Sequence, residues 1–392
     1  MIRSFKYRLH PNKHQESTLN SWLLNCGVIW NWGLEQRKYA YEIDHRSITK
    51  YEQYHELTAL NQYDRELDEE DRVWSRIPAQ VLRSSLNKLD KAFSAFFRRV
   101  RLGETAGYPR FKRRNSHKSF TYAYINSSKS ISSQVHVPKL GHVKFNLYRP
   151  IEGKIKTVTI KRSASNKWWV SFACDVGAAP QALDVNTIPE DRKIGIDLGL
   201  THLFTDSDGN HIKNKRHFKK SQAKLKRLQQ NLSRKSKGSK SRERARVAVA
   251  KLHEHIHNQR LDGARQLVAK LFNKYDLVAY EDLNVKGLIN KDNSKLAKSI
   301  HDASWSIFIQ CLINKAENAG KLAVKVDPRG TSQNCSGCGA KVPKTLRDRV
   351  HDCPECGLKL DRDHNAAINV KKRARSAPSI NSSLELRSEV LT

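Results

Sequence analysis

The chain has 392 residues, enough for about two to four domains and a sizeable hydrophobic core. Its 72 lysine and arginine residues outnumber 39 aspartate and glutamate residues, which gives a formal net charge of +33. This excess is larger than solubility requires and indicates a polyanionic partner. Nucleic acid fits better than a membrane surface, because aromatic residues that can stack on bases lie among the basic ones.

The cysteines and the apolar segments further restrict the class of protein that this sequence can encode. Seven cysteines are an odd number, and four of them lie in two close pairs. No run reaches the ~18 apolar residues of a membrane span, and no signal-like segment opens the chain. We therefore expect a reduced, cytosolic protein without a membrane partner.

The first part of the chain predicts one strand followed by a helical lobe. Residues 1–10 alternate apolar and basic side chains, as a half-buried strand does. Apolar residues at helical spacing predict a helical lobe at residues 11–103, with Pro78 in the first turn of a later helix. The outward face of that helix carries Arg83 and Asn87, which are candidate nucleic-acid contacts, although such faces are often merely solvated.

Strand patterns dominate the middle of the chain, and strands separated by helices follow. Residues 104–185 hold short alternating segments between Gly, Pro, Ser and Asn, which predict a β-barrel or sandwich that includes the first strand. Buried strands separated by helices over residues 186–328 predict an α/β domain. Residues 375–392 are polar, basic and serine-rich, so we expect a disordered tail.

A strongly basic segment lies inside the α/β region. Residues 213–246 carry fifteen lysines and arginines and a single acidic residue, Glu243. Like charges at this density repel one another unless a polyanion is present, so we interpret the segment as a phosphate-binding arm or hinge. The candidate nucleic-acid-binding residues here are Lys219, Lys220, Lys224, Arg227, Arg234, Lys235, Lys237 and Lys240.

Four cysteines have the spacing of a structural metal site. Cys335 and Cys338 form one CxxC pair, Cys353 and Cys356 form a second, and fourteen residues separate the pairs. Two intervening residues let both sulfurs of a pair reach one tetrahedral ion, and four thiolates leave no open position. We predict a structural Zn²⁺ ribbon at residues 329–360, while an iron–sulfur cluster is the less favoured alternative.

Three acidic positions stand out against the basic background. Asp197 and Glu281 lie within or just after apolar strand-like runs, and Asp361 and Asp363 follow the second cysteine pair. A carboxylate in a buried strand is costly unless it is paired or binds a cation, and converging carboxylates repel one another unless divalent metal is bound. Two Mg²⁺ ions held by Asp and Glu recur in phosphodiester cleavage. Any one carboxylate is more often a cap or an ion-pair partner, but together they favour a nuclease.

The motifs GIDLGL, YEDLNV, TSQNCSGCG, CPECGLKLDRDHNAAINV and GYPRFK together resemble the transposon-encoded TnpB family, compact relatives of type V CRISPR effector nucleases. The resemblance spans nearly the whole chain in order. It implies a ribonuclease-H-type RuvC-like domain, completed by residues 361–374, with the zinc ribbon inserted into it. It also implies that Asp197, Glu281 and Asp363 bind the magnesium ions, with Asp361 as the fallback ligand.

The same resemblance implies an activity and partners. We expect an RNA-guided DNA endonuclease of a transposable element, which cleaves target DNA next to a short flanking motif. Its partners would be a guide RNA and both double-stranded and single-stranded target DNA. The β-barrel would be the wedge domain of the family, the ribonucleoprotein would hold one protein copy, and the location would be the prokaryotic cytoplasm and, on DNA, the nucleoid.

Other readings of the chain remain as alternatives. One is a nuclease-inactive relative that uses guide RNA to occupy DNA and repress transcription; another is an accessory transposition protein or the transposase itself. His253, Glu254 and His257 match the zinc-protease pattern, and His255 with His257 matches the histidine pair of single-strand transposases. We discount both matches, because the apolar spacing here predicts a helix, on which residues two apart point nearly opposite ways.

Overall fold

The structure, a computed structural model, describes residues 1–124, 133–289, 294–345 and 347–375. The chain forms two compact units, Met1–Ala178 and Ala179–Thr392. The boundary predicted between residues 185 and 186 therefore lies slightly after the division between the units. The predicted disordered tail lies, except for Arg375, outside the described residues.

A six-stranded antiparallel sheet organises the first unit. Its order is β2-β5-β6-β1-β4-β3. The strands are β1 (Ile2–His10), β2 (Ser119–Ala123), β3 (Gln134–Val137), β4 (Gly141–Phe145), β5 (Lys154–Arg162) and β6 (Trp168–Asp175). Alternate side chains face one core, in which Tyr7, Phe120 and Phe172 are fully buried.

The predicted closed barrel is not found in the part of the chain that the structure describes. No strand ladder joins β2 to β3 there, so each is an edge of the sheet. The hydroxyl of Tyr122 on β2 instead donates to the carbonyl oxygen of His136 on β3 at 3.1 Å. The sheet thus curls until its edges approach, and a side chain bridges them.

Three helices complete the first unit: α1 (Lys13–Asp44), α2 (Lys50–Glu66) and α3 (Ala79–Arg101). α2 was not predicted from the sequence, although Thr49 and Glu52 form a capping box at its start. Pro78 is the N-cap of α3 rather than a first-turn residue, because its backbone is still extended (φ −58°, ψ 130°). The helix begins one residue later than predicted.

A second, mixed sheet forms the centre of the second unit, in the order β11-β10-β7-β8-β9. Its strands are β7 (Lys193–Leu198), β8 (His202–Asp206), β9 (His211–Lys213), β10 (Leu277–Glu281) and β11 (Leu322–Val326). β7, β8 and β9 pair antiparallel, whereas β10 pairs in parallel with both β7 and β11. The prediction of α/β structure here is confirmed.

Helices flank this sheet, and a small hairpin follows it. The helices are α4 (His217–Ser233), α5 (Lys240–Lys274), α6 (Val285–Ile289), α7 (Ser294–Ala303), α8 (Trp305–Ala319) and α9 (Arg362–Arg373). The hairpin pairs β12 (Val350–Asp352) with β13 (Lys359–Asp361). Both discounted histidine patterns lie on α5, as expected. Among the described helices, none has the length and hydropathy needed to cross a lipid bilayer.

The close contact between α9 and β7 depends on one glycine. A Cβ atom at Gly195 of β7 would overlap the carbonyl oxygen of Ala367 and the backbone nitrogen of Lys371 on α9. Protein interiors are close-packed, so such an overlap must move one of the two elements. Gly195 therefore lets the helix backbone lie directly against the strand backbone.

The substitution Gly195→Ala should push α9 away from β7 and destabilise the protein. Overpacking of this kind costs about 1–3 kcal/mol, which urea unfolding of the purified protein would measure. Gly263→Ala is the matched control, because an added Cβ there comes no closer than 3.9 Å to another atom, the flexible end of Lys215. Equal stability of the two variants would contradict the proposed contact.

Candidate functional site

Asp197 and Glu281 lie on neighbouring parallel strands. β7 and β10 pair in parallel register, with Ile196 opposite Tyr280 as the last pair. The next residues along the two strands are Asp197 and Glu281. Because paired strands alternate their side chains in phase, both carboxylates project from the same face of the sheet. Gly195, two residues before Asp197, shares that face, which α9 covers.

The third predicted carboxylate lies on α9. Asp361 is the N-cap of this helix, and its Oδ1 accepts hydrogen bonds from the backbone N–H groups of Asp363 (2.9 Å) and His364 (3.1 Å). This cap fixes the first helical turn, which carries Asp363. Asp361, predicted as the fallback ligand, therefore has a capping role that the sequence analysis did not assign.

The three carboxyl groups interact strongly. Burial raises the pKa of Asp197 well above its ordinary value, and the charges of Glu281 and Asp363 raise it further. Burial also raises the pKa of Glu281, although a hydrogen bond from the Thr331 hydroxyl opposes that shift. Thr331 Oγ1 lies 2.5 Å from Glu281 Oε1, and the Glu281 residue is only 6% exposed. The protein thus gathers mutually repelling carboxylates from three separate segments.

The three carboxylates are not gathered into a cluster as tight as that of the cysteines. Among the described residues, only the four cysteines form a set of three or more ligands whose atoms all lie within 4.8 Å of one another. Two ions about 4 Å apart, each about 2.1 Å from its ligands, accept oxygens up to roughly 8 Å apart. A set made only of carboxylates also matches the oxygen preference of Mg²⁺.

The four cysteine sulfurs lie at the corners of a compact cluster. The Sγ atoms of Cys335 and Cys356 are 3.6 Å apart, as are those of Cys338 and Cys353. A tetrahedral ion with bonds of about 2.3 Å requires sulfur separations of about 3.8 Å. All four ligand atoms lie within 4.8 Å of one another, so their positions fit one tetrahedral metal ion.

Two asparagines of α9 attach the first cysteine pair to the helix. Asn365 accepts a hydrogen bond from the backbone N–H of Ser336 and donates one to the carbonyl oxygen of Asn334, both at 2.9 Å. Asn369 donates to the carbonyl oxygens of Thr331 (2.8 Å) and Asn334 (2.7 Å). Thr331 also contacts Glu281, so this network links α9, the cysteine cluster and the second carboxylate.

Sequence reasoning missed this asparagine network. Asn365 and Asn369 are four residues apart, which is the spacing of one helical face, and both are buried. Buried amides are hydrogen-bonded in most proteins. Two asparagines on one face of a helix that begins at an acidic motif could therefore have indicated a hydrogen-bonded contact with another segment. Their partners in the TSQNCSGCG motif could not be identified without the fold.

The candidate nucleic-acid contacts of α3 line a cleft. Arg83 and Asn87 face a space of about 580 Å³ between α3 and strands β2 and β5, together with Gln80 and Thr121. Lys88, the residue after Asn87, is partly buried and donates to the Ser119 backbone and hydroxyl oxygens. Burial lowers the pKa of Lys88 to about 8.

The basic segment forms a helical hairpin. Leu225 of α4 packs with Leu252 and Ile256 of α5 in a small apolar cluster. Asp302 of α7 accepts hydrogen bonds from the backbone N–H groups of Phe218 (2.8 Å) and Lys219 (3.0 Å), which holds the start of α4. All eight basic residues predicted here to contact nucleic acid are exposed. The hairpin thus presents its charges to solvent on a folded support.

Family models match three parts of the chain. One described as "Probable transposase" matches residues 176–292, and one described as "Cas12f1-like, TNB domain" matches residues 305–370. These two regions contain the three predicted carboxylates and the four cysteines. A third model, described as "Helix-turn-helix domain", matches residues 1–46, which in this chain form β1 and one uninterrupted helix.

Known proteins resemble the chain over most of its length. A protein of Streptomyces pristinaespiralis named "Putative RNA-guided DNA endonuclease" is 30% identical over 375 residues, which cover 94% of this chain and 88% of the relative. InsQ of Escherichia coli K12, which carries the same description, is 27% identical over 94% of this chain and 91% of its own. A solved Cas12f1-sgRNA-target DNA complex contains a chain of similar fold, with a TM-score of 0.56 and 14% identity, covering 92% of this chain and 83% of that one.

The repulsion among the carboxylates predicts that Asp197→Asn stabilises the metal-free protein. The unfolded chain releases the Asp197 proton near its ordinary pKa, whereas the raised pKa in the folded chain retains it to higher pH. The folded protein therefore loses stability as the pH rises from the ordinary pKa of Asp197 to its raised pKa. At higher pH the loss is complete. At pH 8 in EDTA, urea unfolding should show Asp197→Asn to be more stable than wild type by about 1 kcal/mol.

The pH dependence provides the control for this prediction. The difference in stability between Asp197→Asn and wild type should shrink as the pH is lowered, because wild-type Asp197 then becomes neutral as well. Asp191→Asn, which neutralises an exposed carboxylate shortly before β7, should leave the wild-type pH dependence unchanged. A variant at residue 197 that is no more stable than wild type at pH 8 would show that the carboxylates do not repel one another.

Proposed function

Because the chain belongs to the TnpB family, we propose that it is an RNA-guided DNA endonuclease that hydrolyses phosphodiester bonds at a magnesium site formed by Asp197, Glu281 and Asp363. One observation carries the proposal: two parallel strands and the first turn of α9 bring these carboxylates together, where burial raises the pKa of Asp197 and of Glu281. A binding protein gains nothing from this costly arrangement, whereas a metal-dependent nuclease requires it.

The order of the second sheet supports a ribonuclease-H-like fold for this unit. Three antiparallel strands, β7 to β9, are extended by β10 and β11 in parallel with β7. α9 then returns to the first of these strands and packs over Gly195. In this arrangement Asp197 lies on a central strand, beside the helix that carries Asp363. This placement of acidic residues supports the RuvC-like assignment.

Each carboxylate has a distinct support. The Thr331 hydroxyl donates a hydrogen bond to Oε1 of Glu281, which positions that carboxylate. The Asp361 cap fixes the turn that carries Asp363. Asp197 releases its proton when a cation replaces it, because the neighbouring negative charges are then neutralised. When bound at this site, Mg²⁺ supplies a Lewis acid that activates water for attack on phosphorus and stabilises the leaving oxygen.

The basic surfaces can bind the nucleic-acid partners that this activity needs. The exposed charges of the α4–α5 hairpin are suited to phosphate groups of guide RNA and DNA, because such contacts add affinity without base specificity. The cleft beside α3 contains Gln80, Arg83 and Asn87, which are side chains that can form paired hydrogen bonds to base edges. We assign the reading of the flanking DNA motif to this cleft.

The catalytic assignment predicts the behaviour of three substitutions. Asp197→Ala, Glu281→Ala and Asp363→Ala should each lower Mg²⁺-dependent cleavage of target DNA by at least about a hundredfold, since each removes charge from the metal site. Guide RNA should still copurify with all three variants, because binding does not use these carboxylates. Cleavage assays and RNA extraction on the same preparations test both statements.

Asp361→Ser is the matched control for these substitutions. A serine retains the N-cap of α9 but removes the carboxylate, so cleavage should persist if Asp361 only positions the helix. Loss of cleavage in Asp361→Ser with full activity in Asp363→Ala would reverse the two assignments. Wild-type protein that binds target DNA through guide RNA but never cuts it would favour the repressor alternative.

The cysteine cluster serves as a structural Zn²⁺ site in this proposal, since four thiolates close the coordination shell. Replacing both Cys353 and Cys356 by Ser should remove one equivalent of zinc and cleavage together. The expected reason is that the cluster holds the backbone at Asn334 and Ser336, to which α9 is hydrogen-bonded.

Elemental analysis and the cleavage assay measure the two effects. Cys311→Ser changes a half-buried cysteine outside the cluster and should retain both zinc and activity. Full cleavage by a double variant that lacks zinc would refute the coupling between the two sites.

A further inference from the structure

The GYPRFKRR segment has no role in the activity described so far. Residues 108–114 lie between α3 and β2 and belong to neither a helix nor a strand. Two side chains of α1 nevertheless hold them: Trp30 Nε1 donates to the carbonyl oxygen of Arg110 at 3.0 Å. Asn31 donates to the carbonyl oxygen of Lys112 at 3.0 Å and accepts from its backbone N–H at 2.6 Å. We call residues 108–114 the anchored segment.

This anchoring turns the remaining backbone groups outward. In an extended chain, successive residues direct their N–H and C=O groups to opposite sides. Arg110 and Lys112 point toward α1, so the polar backbone groups of Phe111 point away from it. Neither has a hydrogen-bond partner among the described residues. Such groups require water or a ligand.

Two aromatic rings accompany this exposed backbone. The Tyr108 ring meets Phe93 and Phe96 edge-on, with centroids 5.5 and 5.4 Å apart, so its position is fixed by packing. Tyr108 is nevertheless 44% exposed, and Phe111 is 50% exposed. The Lys38 ammonium lies 5.9 Å from the Phe111 ring centre. Packing therefore holds the Tyr108 ring, and much of the surface of both rings remains in contact with solvent.

The charge around these rings is strongly positive. Residues 96–114 contain seven basic residues and one acidic residue, Glu104. Arg110, Arg113 and Arg114 are exposed. A second copy of this chain would bring the same charges to the surface and would be repelled, so self-association does not explain the exposed rings. Positive charge interleaved with fixed, exposed rings is typical of surfaces that bind single-stranded nucleic acid.

We propose that the anchored segment binds unpaired nucleotides of the guide RNA. The rings of Tyr108 and Phe111 stack on bases, while Arg110, Arg113 and Arg114 contact phosphates. Unpaired bases are required, because a base inside a duplex offers no free face to a ring. RNA is favoured over DNA, because the outward carbonyl of Phe111 can accept a hydrogen bond from a ribose 2′-hydroxyl, which DNA lacks. The identity of the RNA as a guide rests on the proposed function.

The binding of extracted RNA tests this site directly. RNA recovered from the purified wild-type complex is labelled and titrated with full-length protein freed of RNA, and fluorescence anisotropy gives the dissociation constant. Phe111→Ala and Tyr108→Ala should each weaken binding about tenfold, in line with the loss of one stacked base. Tyr63→Ala removes a ring of α2 that is 63% exposed and should bind like wild type.

Further variants separate the parts of the site. Arg113→Ala should reduce the salt dependence of RNA binding by about one phosphate contact. Asn31→Ala retains both aromatic side chains but removes the two hydrogen bonds that hold Lys112, so it should also weaken binding. If Phe111→Ala lowers the melting temperature, Phe111→Leu retains apolar volume without a ring face and should show the same weakening.

Wild-type RNA affinity in Phe111→Leu and Tyr108→Ala would overturn the proposal. Weakened binding of single-stranded DNA of the same sequence, with RNA binding unchanged, would overturn it as well, since the ligand would then be DNA. The outcome is independent of catalysis, because binding is measured in EDTA. If the wild-type complex never cuts DNA but the ring variants still lose RNA affinity, the nuclease proposal fails and this site stands.

Discussion

The mutual repulsion of three carboxylates is the constraint on which the second unit depends. Asp197, Glu281 and Asp363 come from segments far apart in the chain, yet Glu281 and Asp363 raise the pKa of Asp197, and Asp363 raises the pKa of Glu281. That cost must be offset by interactions elsewhere, because a folded domain is only marginally stable. The buried strands β7 and β10, the packing of α9 and the Thr331 hydrogen bond provide this support.

This constraint explains why the cysteine cluster and an acidic motif adjoin in the chain. α9 carries Asp363 at its start and the asparagines that hold the first cysteine pair on its next turns. The β12–β13 hairpin, which contains the second cysteine pair, ends at Asp361, the cap of the same helix. One short helix is thus fixed at both the cysteine cluster and the sheet, so its acidic first turn cannot move freely away from β7.

Much of this arrangement could be predicted from the sequence, because its signals are local. Apolar runs marked β7 and β10, paired cysteines marked the metal cluster, and acidic residues within or beside those runs marked the candidate site. The features that were missed depend on contacts between distant segments. Nothing local shows that Gly195 faces a helix more than 160 residues later, or that Asn369 meets Thr331.

Two further features of the fold were not predicted correctly, and the physical reasons differ. The capping box of α2 was a local signal, but the helix is largely polar and its apolar spacing is weak, so periodicity did not reveal it. The barrel was predicted from short alternating segments between turn residues. Whether edge strands pair depends on curvature and register, which alternation within single strands does not determine.

The direct contact of two backbones at Gly195 affects which substitutions this unit can accept as its sequence changes in evolution. Where side chains separate a helix from a strand, their distance changes whenever a core residue grows or shrinks. Here no side chain intervenes, so the separation between α9 and β7 is set by main-chain atoms that substitutions at positions other than Gly195 leave in place. The interior of this unit can therefore accept many replacements over generations while the distance from Asp197 to the turn bearing Asp363 stays nearly constant.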